Sequence, residues 1–380
     1  MLFRSDRAYL LLVHTFHSLA YSFLTPSPKI VNEETQYQII KKLVTKNVTK
    51  TILEISRFKS GLKVEDKIKF VVDLYNQELS RLGLLDYDDL LLKSLPITQN
   101  NLYDFILVDE FQDTNLTQYQ LLNKLTGHKT SLFIIGDPRQ SIYAFRGANA
   151  HVFDQFVKDF RPQIISLTTN YRSCPEVVKT AQLLFPRDQP QICFSPAGLV
   201  QTVKCQNLYS QADWILRFIN QKLGGLDLNS TAVDTTQNHR FSDFAILYRH
   251  HHQALILKKK FFDSGVPFQA SSDDSEFGVL DPAADRVILS TIHAAKGLEF
   301  KYVFLFNFDN YQIGDGEERR LLYVALTRAK QEFYFLWSHS FPQFFPEIQK
   351  YIIAITDDRF IPDSRRLRLR RLKKSQLDLF

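Results

Sequence analysis

YDFILVDEFQDTN, residues 103–115, runs an apolar segment of strand length straight into two adjacent carboxylates, Asp109 and Glu110. The pattern returns twice: LFII at 132–135 is followed by GDPRQ, and VILSTI at 287–292 by HAAKG. Short apolar runs without alternation are what strands read as when both faces are buried, and that occurs in parallel sheets covered by helices. Ligands of such sheets bind outside the carboxyl ends of the strands, where these polar clusters fall. The expectation is an α/β fold built on parallel sheets.

Working outward, FAILYR from 244, YVFLFNF from 302 and EFYFLWS from 332 are further strand candidates. Residues from about 30 to 95 change character: IIKKLVTKNVTKTILEISRF and EDKIKFVVDLYNQELSRLGLL carry helical spacing, which predicts a helical insertion. QKLGGLDLNSTAVDTTQNHR, residues 221–240, has no apolar period and reads as a surface loop. With 380 residues the chain is long enough for two cores, and 44% hydrophobic against 23% charged residues excludes wholesale disorder. Three cysteines without a CxxC spacing offer no disulfide framework, and no apolar run reaches the roughly 18 residues of a membrane span, so a cytoplasmic location is expected. The net charge of +6 suggests an anionic partner, but it is concentrated: residues 361–380 hold seven Lys and Arg against two Asp, 7 − 2 = +5.

Asp109 and Glu110 suit nucleotide hydrolysis, in which an aspartate holds Mg²⁺ against phosphates and a neighbouring base orients water. Alone, a DE pair after a strand is solvated surface. The next cluster changes that balance, because GDPRQSIYAFRGA, 136–148, packs Gln140, Tyr143, Phe145 and Arg146 into one loop. An amide there can sense a phosphate, and aromatics beside arginine make a platform for bases of single-stranded nucleic acid. The bland alternative is that both aromatics belong to the core.

DEFQDTN and GDPRQSIYAFRGA are similar to motifs II and III of the UvrD/Rep-type superfamily 1 DNA helicases. LTTNYRS at 167–173 resembles their motif IV, STIHAAKGLEF at 290–300 motif V, EERRLLYVALTRAK at 317–330 motif VI, and TFHSLA at 15–20 an early DNA-contacting segment. The resemblance implies two RecA-like parallel-sheet domains. Residues 1–26 and 97–166 would form the first, incomplete, with 27–96 as its helical insertion; 167–345 would form the second and 346–380 a C-terminal extension. It implies ATP and Mg²⁺ as cofactors, with Asp109 on the metal, Glu110 polarising water and Gln140 coupling the γ-phosphate to DNA. Arg172 and Arg328 would be paired arginine fingers. Tyr171 would stack on adenine, Glu299 would touch the ribose, and Gly297 would allow close approach of the chain. Thr15, His17, Tyr143, Phe145, Arg146, His293 and Lys296 would handle single-stranded DNA or a 3′-tailed duplex. Without the family, Arg328 reads as a helix-surface cation and His293 as an ordinary structural histidine.

Two departures stand out. A phosphate-cradling Walker A loop needs glycines followed by Lys and Ser/Thr, and none of the 13 glycines is followed by lysine. In the family that loop precedes the TFHS segment, so the expectation is an N-terminal truncation; a separate chain supplying Walker A and a decayed remnant are the other accounts. Between GVPFQA, ending at 270, and STIHAAKG, beginning at 290, larger members insert a whole domain, and too little chain is left here for one.

The end of the chain has a reading of its own. Gln376, Leu377, Asp378, Leu379 and Phe380 look like the peptide by which bacterial replication proteins dock on the sliding clamp, while a frayed terminus is the bland alternative. The sequence thus points to an ATP-dependent 3′ to 5′ DNA translocase or helicase in repair or replication. The competing reading is a non-hydrolysing DNA- and clamp-binding adaptor on the same scaffold. A nuclease-complex motor subunit ranks lower, because no nuclease-like carboxylate and lysine cluster follows motif VI.

Overall fold

The computed structural model describes residues 11–100, 102–143, 151–186, 191–224, 239–271, 280–281, 283–311, 316–342 and 353–356. The chain divides into two compact units, Met1–Gln163 and Ile164–Phe380.

The first unit runs α1 (Phe16–Phe23), β1 (Lys29–Ile30), α2 (Glu33–Leu43), α3 (Val48–Lys59), α4 (Asp66–Leu82), β2 (Leu84–Leu85), α5 (Tyr87–Ser94), β3 (Phe105–Val108), α6 (Leu116–Leu125), β4 (Ser131–Ile134) and α7 (His151–Phe160). Helices α2 to α4 are the expected insertion. Ile68, Val72, Tyr75 and Leu79 recur at helical spacing along α4 and pack with Ile39, Ile40 and Ile55 into one cluster. The local signals agree with that packing. Asn32 caps α2 by accepting the Thr35 N–H at 2.8 Å, Glu33 and Glu34 fill its first turn, and Gly83 closes α4 at φ +67°. Beneath lies a buried polar knot: the Lys59 ammonium meets Asp86 at 2.7 Å and Asp89 at 2.8 Å and lies 5.1 Å from the Tyr75 ring centre.

Strands β3 and β4 pair in parallel, Phe105 opposite Ser131 through Val108 opposite Ile134. One face of the pair is covered: Val108, Ile106, Leu132 and Ile134 pack with Phe111 and with Tyr119, Val152 and Phe156 of the flanking helices. The alternate residues point the other way, leaving Phe105 and Leu107 of one strand and Phe133 and Ile135 of the other largely exposed.

The second unit contains β5 (Thr169–Asn170), α8 (Pro175–Leu184), β6 (Ile192–Cys193), β7 (Leu199–Lys204), α9 (Leu208–Lys222), β8 (Phe244–Tyr248), α10 (Ala254–Asp263), β9 (Phe268–Ala270), β10 (Val287–Thr291), β11 (Phe300–Leu305), α11 (Gly316–Leu326), β12 (Ala329–Trp337) and β13 (Ile353–Thr356). Seven strands form one sheet in the order β13-β7-β12-β11-β8-β10-β9, parallel at every pairing. Every residue of β8 and β10 is buried, which explains why FAILY and VILST read as unbroken apolar runs or nearly so. The α/β parallel-sheet class read from the sequence is the one observed. The sheet also extends beyond residue 345, because β13 pairs with β7 as an edge strand.

Candidate functional site

Each unit gathers its own cluster of the residues singled out by the sequence. In the first, Val108 ends β3 and the chain turns at Glu110, whose φ of +50° puts a non-glycine residue in the left-handed region. Phe111, fully buried against Phe153 and Phe156, anchors that turn from below, and its N–H donates to the Ile135 carbonyl at 3.0 Å. Asp109 and Glu110 are thereby held exposed at the tip, with Asp109 Oδ1 accepting the Glu110 N–H at 2.9 Å.

Gln112, buried beneath them, links the two strand ends. Its Nε2 donates to the Glu110 carboxylate, its Oε1 accepts the Asp137 N–H at 3.0 Å, and its backbone carbonyl accepts the Ser141 hydroxyl at 3.0 Å. Gly136 makes this approach possible, since a Cβ there would lie 2.5 Å from Gln112 Oε1. Asp137 caps the single turn Pro138–Gln140 by accepting the Arg139 N–H at 3.1 Å, and the Gln140 amide reaches its other oxygen at 3.5 Å. A run of contacts therefore joins Glu110 to Gln140 through Gln112 and Asp137. The sequence reading gave Gln112 no role; its presence within the quoted stretch was the only signal, since nothing in spacing reveals a buried amide bridging two strands.

Tyr143 is half-buried next to the fully buried Ile142, while Phe145 and Arg146 lie outside the described residues. Thr15 is the N-cap of α1, its hydroxyl accepting the Ser18 N–H at 3.1 Å. His17 packs edge-on against Tyr87 at 6.0 Å, and burial holds its imidazole below the usual histidine range.

In the second unit, Asn170 Oδ1 accepts the backbone N–H groups of Arg172 at 3.0 Å and Ser173 at 2.9 Å, curling the chain after β5. Ser173 and Cys174 fasten this curl to the start of β12, through Ser173 Oγ to the Ala329 carbonyl at 2.7 Å and the Cys174 N–H to the Lys330 carbonyl at 2.8 Å. Gly198 is required for that approach, because a Cβ there would fall 2.0 Å from the Gln331 carbonyl oxygen and 2.5 Å from Cys174 Sγ. The result brings Arg172, Glu299 and Lys330 together: Glu299 accepts from Arg172 Nε at 2.7 Å and from Lys330 Nζ at 2.5 Å. Lys330, then Arg172, hold the Glu299 carboxyl below the usual carboxylate range. Lys330 is a second residue that the sequence reading left without a role.

Arg328 is placed differently from a surface cation. Only 2% exposed, it donates from Nε to the Val324 carbonyl and from Nη1 to the Leu298 carbonyl, both at 3.1 Å. His293 and Lys296 follow the carboxyl end of β10 and are half-buried. The connection then returns through Gly297, at φ +86°, to the amino end of β11, so Glu299 and Lys330 sit at the opposite pole of the sheet from His293. The carboxyl-end rule therefore describes the first unit's cluster but not this one. Tyr171 is 76% exposed and stacks on Phe194. The Gln376–Phe380 peptide lies outside the described residues. Among the described residues, no group of three or more His, Cys, Asp or Glu side chains is arranged to hold a metal, and no helix is long and apolar enough to cross a membrane.

Parallel sheets with acidic, amide and basic side chains gathered at their strand ends define an α/β protein of the ligand-handling kind. Residues 58–161 match the model of the UvrD/REP helicase N-terminal domain and residues 270–340 that of the UvrD-like helicase C-terminal domain. The chain is 25% identical over 364 residues to the ATP-dependent DNA helicase Rep of Salmonella typhimurium strain LT2, covering 85% of this chain and 53% of that protein. It is 28% identical over 273 residues to Rep of Escherichia coli strain K12, with 68% and 39% covered, and 31% identical over 300 residues to a probable DNA helicase of Mycoplasma pneumoniae strain M129, with 71% and 52% covered. The chain belongs to the UvrD/Rep-type superfamily 1 helicases. It spans about half the length or less of these curated relatives.

Proposed function

We propose that this chain supplies most of the motor of an ATP-driven DNA translocase or helicase, moving 3′ to 5′ on single-stranded DNA in the cytoplasm, in repair or replication. The observation that carries the reading is the run of contacts from Glu110 through Gln112 and Asp137 to Gln140. A base that positions water is there mechanically tied to an amide suited to reading the γ-phosphate, so a shift at one is felt at the other. The relatives Rep of Salmonella typhimurium and Escherichia coli are named ATP-dependent DNA helicases, which supports ATP as the fuel and DNA as the track.

The donor chemistry fits a magnesium nucleotide in part. Asp109 offers a hard, exposed carboxylate, and Arg172 and Lys330 offer cations beside an exposed aromatic, Tyr171. Mg²⁺ held by Asp109 would neutralise charge on the phosphate oxygens. Glu110, lifted clear of the strand end by its left-handed turn, orients and deprotonates water. Arg172 leaves Glu299 to meet charge developing on the phosphoryl group. Arg328 does the same only if its two carbonyl partners release it. The amide cradle for the phosphates is not encoded in this sequence, and we assign it to a segment carrying GxGKT, in the same polypeptide or in a separate chain. Thr15, His17, Tyr143, Phe145, Arg146, His293 and Lys296 form the DNA track, and the terminal Gln376–Phe380 peptide recruits a sliding clamp.

The test is ATP hydrolysis stimulated by single-stranded DNA, measured with a GxGKT-bearing segment supplied. Activity is expected to appear with that segment and to fall by a factor of about 10² to 10⁴ in Glu110→Gln. DNA binding without any hydrolysis under those conditions establishes the adaptor reading instead.

A further inference from the structure

Tyr171 and Phe194 are an exposed aromatic pair that nothing above accounts for. Their ring centres lie 5.4 Å apart with planes inclined by only 10°, an offset stack, yet Tyr171 is 76% and Phe194 68% exposed. A pair serving to bury apolar surface would be covered; this one stays in water with its broad faces presented. The backbone fixes the arrangement. The Ile192 N–H donates to the Thr168 carbonyl at 2.9 Å and the Phe194 N–H to the Asn170 carbonyl at 3.3 Å, while Ser195 Oγ donates to the Tyr171 carbonyl at 3.3 Å. The two rings are thus carried by paired segments on either side of a short parallel ladder, β5 against β6.

We infer that Phe194 is a positioning residue that backs Tyr171, so that the two rings form a shelf on which the purine base of a bound nucleotide stacks. This rests on the nucleotide reading of Tyr171 and goes beyond it by naming the second ring and the way the base is selected. Phe194 occupies one face of Tyr171 and restrains the phenol ring from turning, which leaves the opposite face for the base. The resulting order is phenyl, phenol, purine. Stacking discriminates by ring area rather than by hydrogen-bond pattern, so a shelf of this kind favours purines over pyrimidines while separating adenine from guanine weakly. Arg172 follows Tyr171 directly in the chain and, with Lys330, concentrates positive charge around Glu299, which suits the phosphate-bearing end of the same ligand.

The experiment titrates the full chain with ATP and, separately, with tripolyphosphate, which has the charge without the base, and follows the adenine H2 and H8 resonances. In the wild-type chain these protons are expected to move upfield on binding, as stacking on aromatic rings requires. Phe194→Ala and Phe194→Leu should weaken ATP binding by about 3- to 10-fold, Phe194→Tyr should restore it, and tripolyphosphate affinity should be unchanged in all three. CTP should bind more weakly than ATP and lose that difference in Phe194→Ala. Upfield shifts with full ATP affinity in Phe194→Ala overturn the inference and leave the nucleotide reading standing, as does rescue by leucine equal to that by tyrosine. Absence of upfield shifts in the wild-type chain overturns both. So does a shift abolished by a thymidine oligonucleotide but not by excess tripolyphosphate, which would make the shelf a DNA contact.

Discussion

Removing the Arg328 side chain leaves the Val324 and Leu298 carbonyls without the donors that now serve them at 3.1 Å, at a position 2% exposed. Arg328→Ala is therefore expected to destabilise the second unit by about 1–3 kcal/mol, visible as an earlier midpoint in urea unfolding followed by circular dichroism. If that midpoint stays put, the buried guanidinium is not structural, and any loss of hydrolysis in the same variant belongs to chemistry alone. Glu110 presents the converse. Its backbone sits at φ +50°, a conformation costing an L-residue about 1–2 kcal/mol, so Glu110→Gly should hold or raise stability while hydrolysis collapses. A variant that loses both stability and activity would show that the carboxylate also holds the turn together, through its bond from Gln112.

Among the elements, α5 offers a pH test. Burial pushes the Asp88 carboxyl up to about 6, although Ser56 hydrogen-bonds to it. A raised folded-state pKa means the folded chain binds the proton more tightly than the unfolded chain does. Asp88 therefore penalises folding above about pH 6, and the penalty is relieved as pH falls toward the ordinary carboxylate value. Asp88→Asn should melt at a higher temperature than the parent at pH 7, with the gap closing toward pH 4; a gap independent of pH would reject the assignment. The β3–β4 ladder offers a contrast of faces: Phe133→Ser, on the exposed side, should cost under about 0.5 kcal/mol, whereas Phe111→Ala, fully buried, should cost about 3–5 kcal/mol in the same unfolding assay. The same contrast explains what could be read in advance. Strands β8, β10 and β11 were legible because burial on both faces leaves an uninterrupted apolar run. Strands β5 and β6, two residues each, are too short to carry a period, and β7 hides Gln201 and Thr202 in the interior, so neither announced itself. At the candidate sites, the acidic pair and the Arg172 position were visible as motifs. Gln112, Phe194 and Lys330 were not, because their parts depend on contacts with chain 2 to 31 residues distant, which no local pattern encodes.

For the molecule as a whole, charge placement makes the clearest forecast. Seven cations between residues 365 and 374 account for most of the chain's net +6, so deleting residues 361–380 should flatten the dependence of log K on log salt for single-stranded DNA by up to about 5, at roughly 0.7 per phosphate released. An unchanged slope would mean that the tail does not touch phosphates. Finally, Phe105, Leu107, Phe133 and Ile135 stand side by side in water on a folded sheet. The native chain should accordingly light up dyes such as ANS and scatter more light as it is concentrated, so that a bright dye signal from a fresh preparation is the mark of the intact molecule and not of damage.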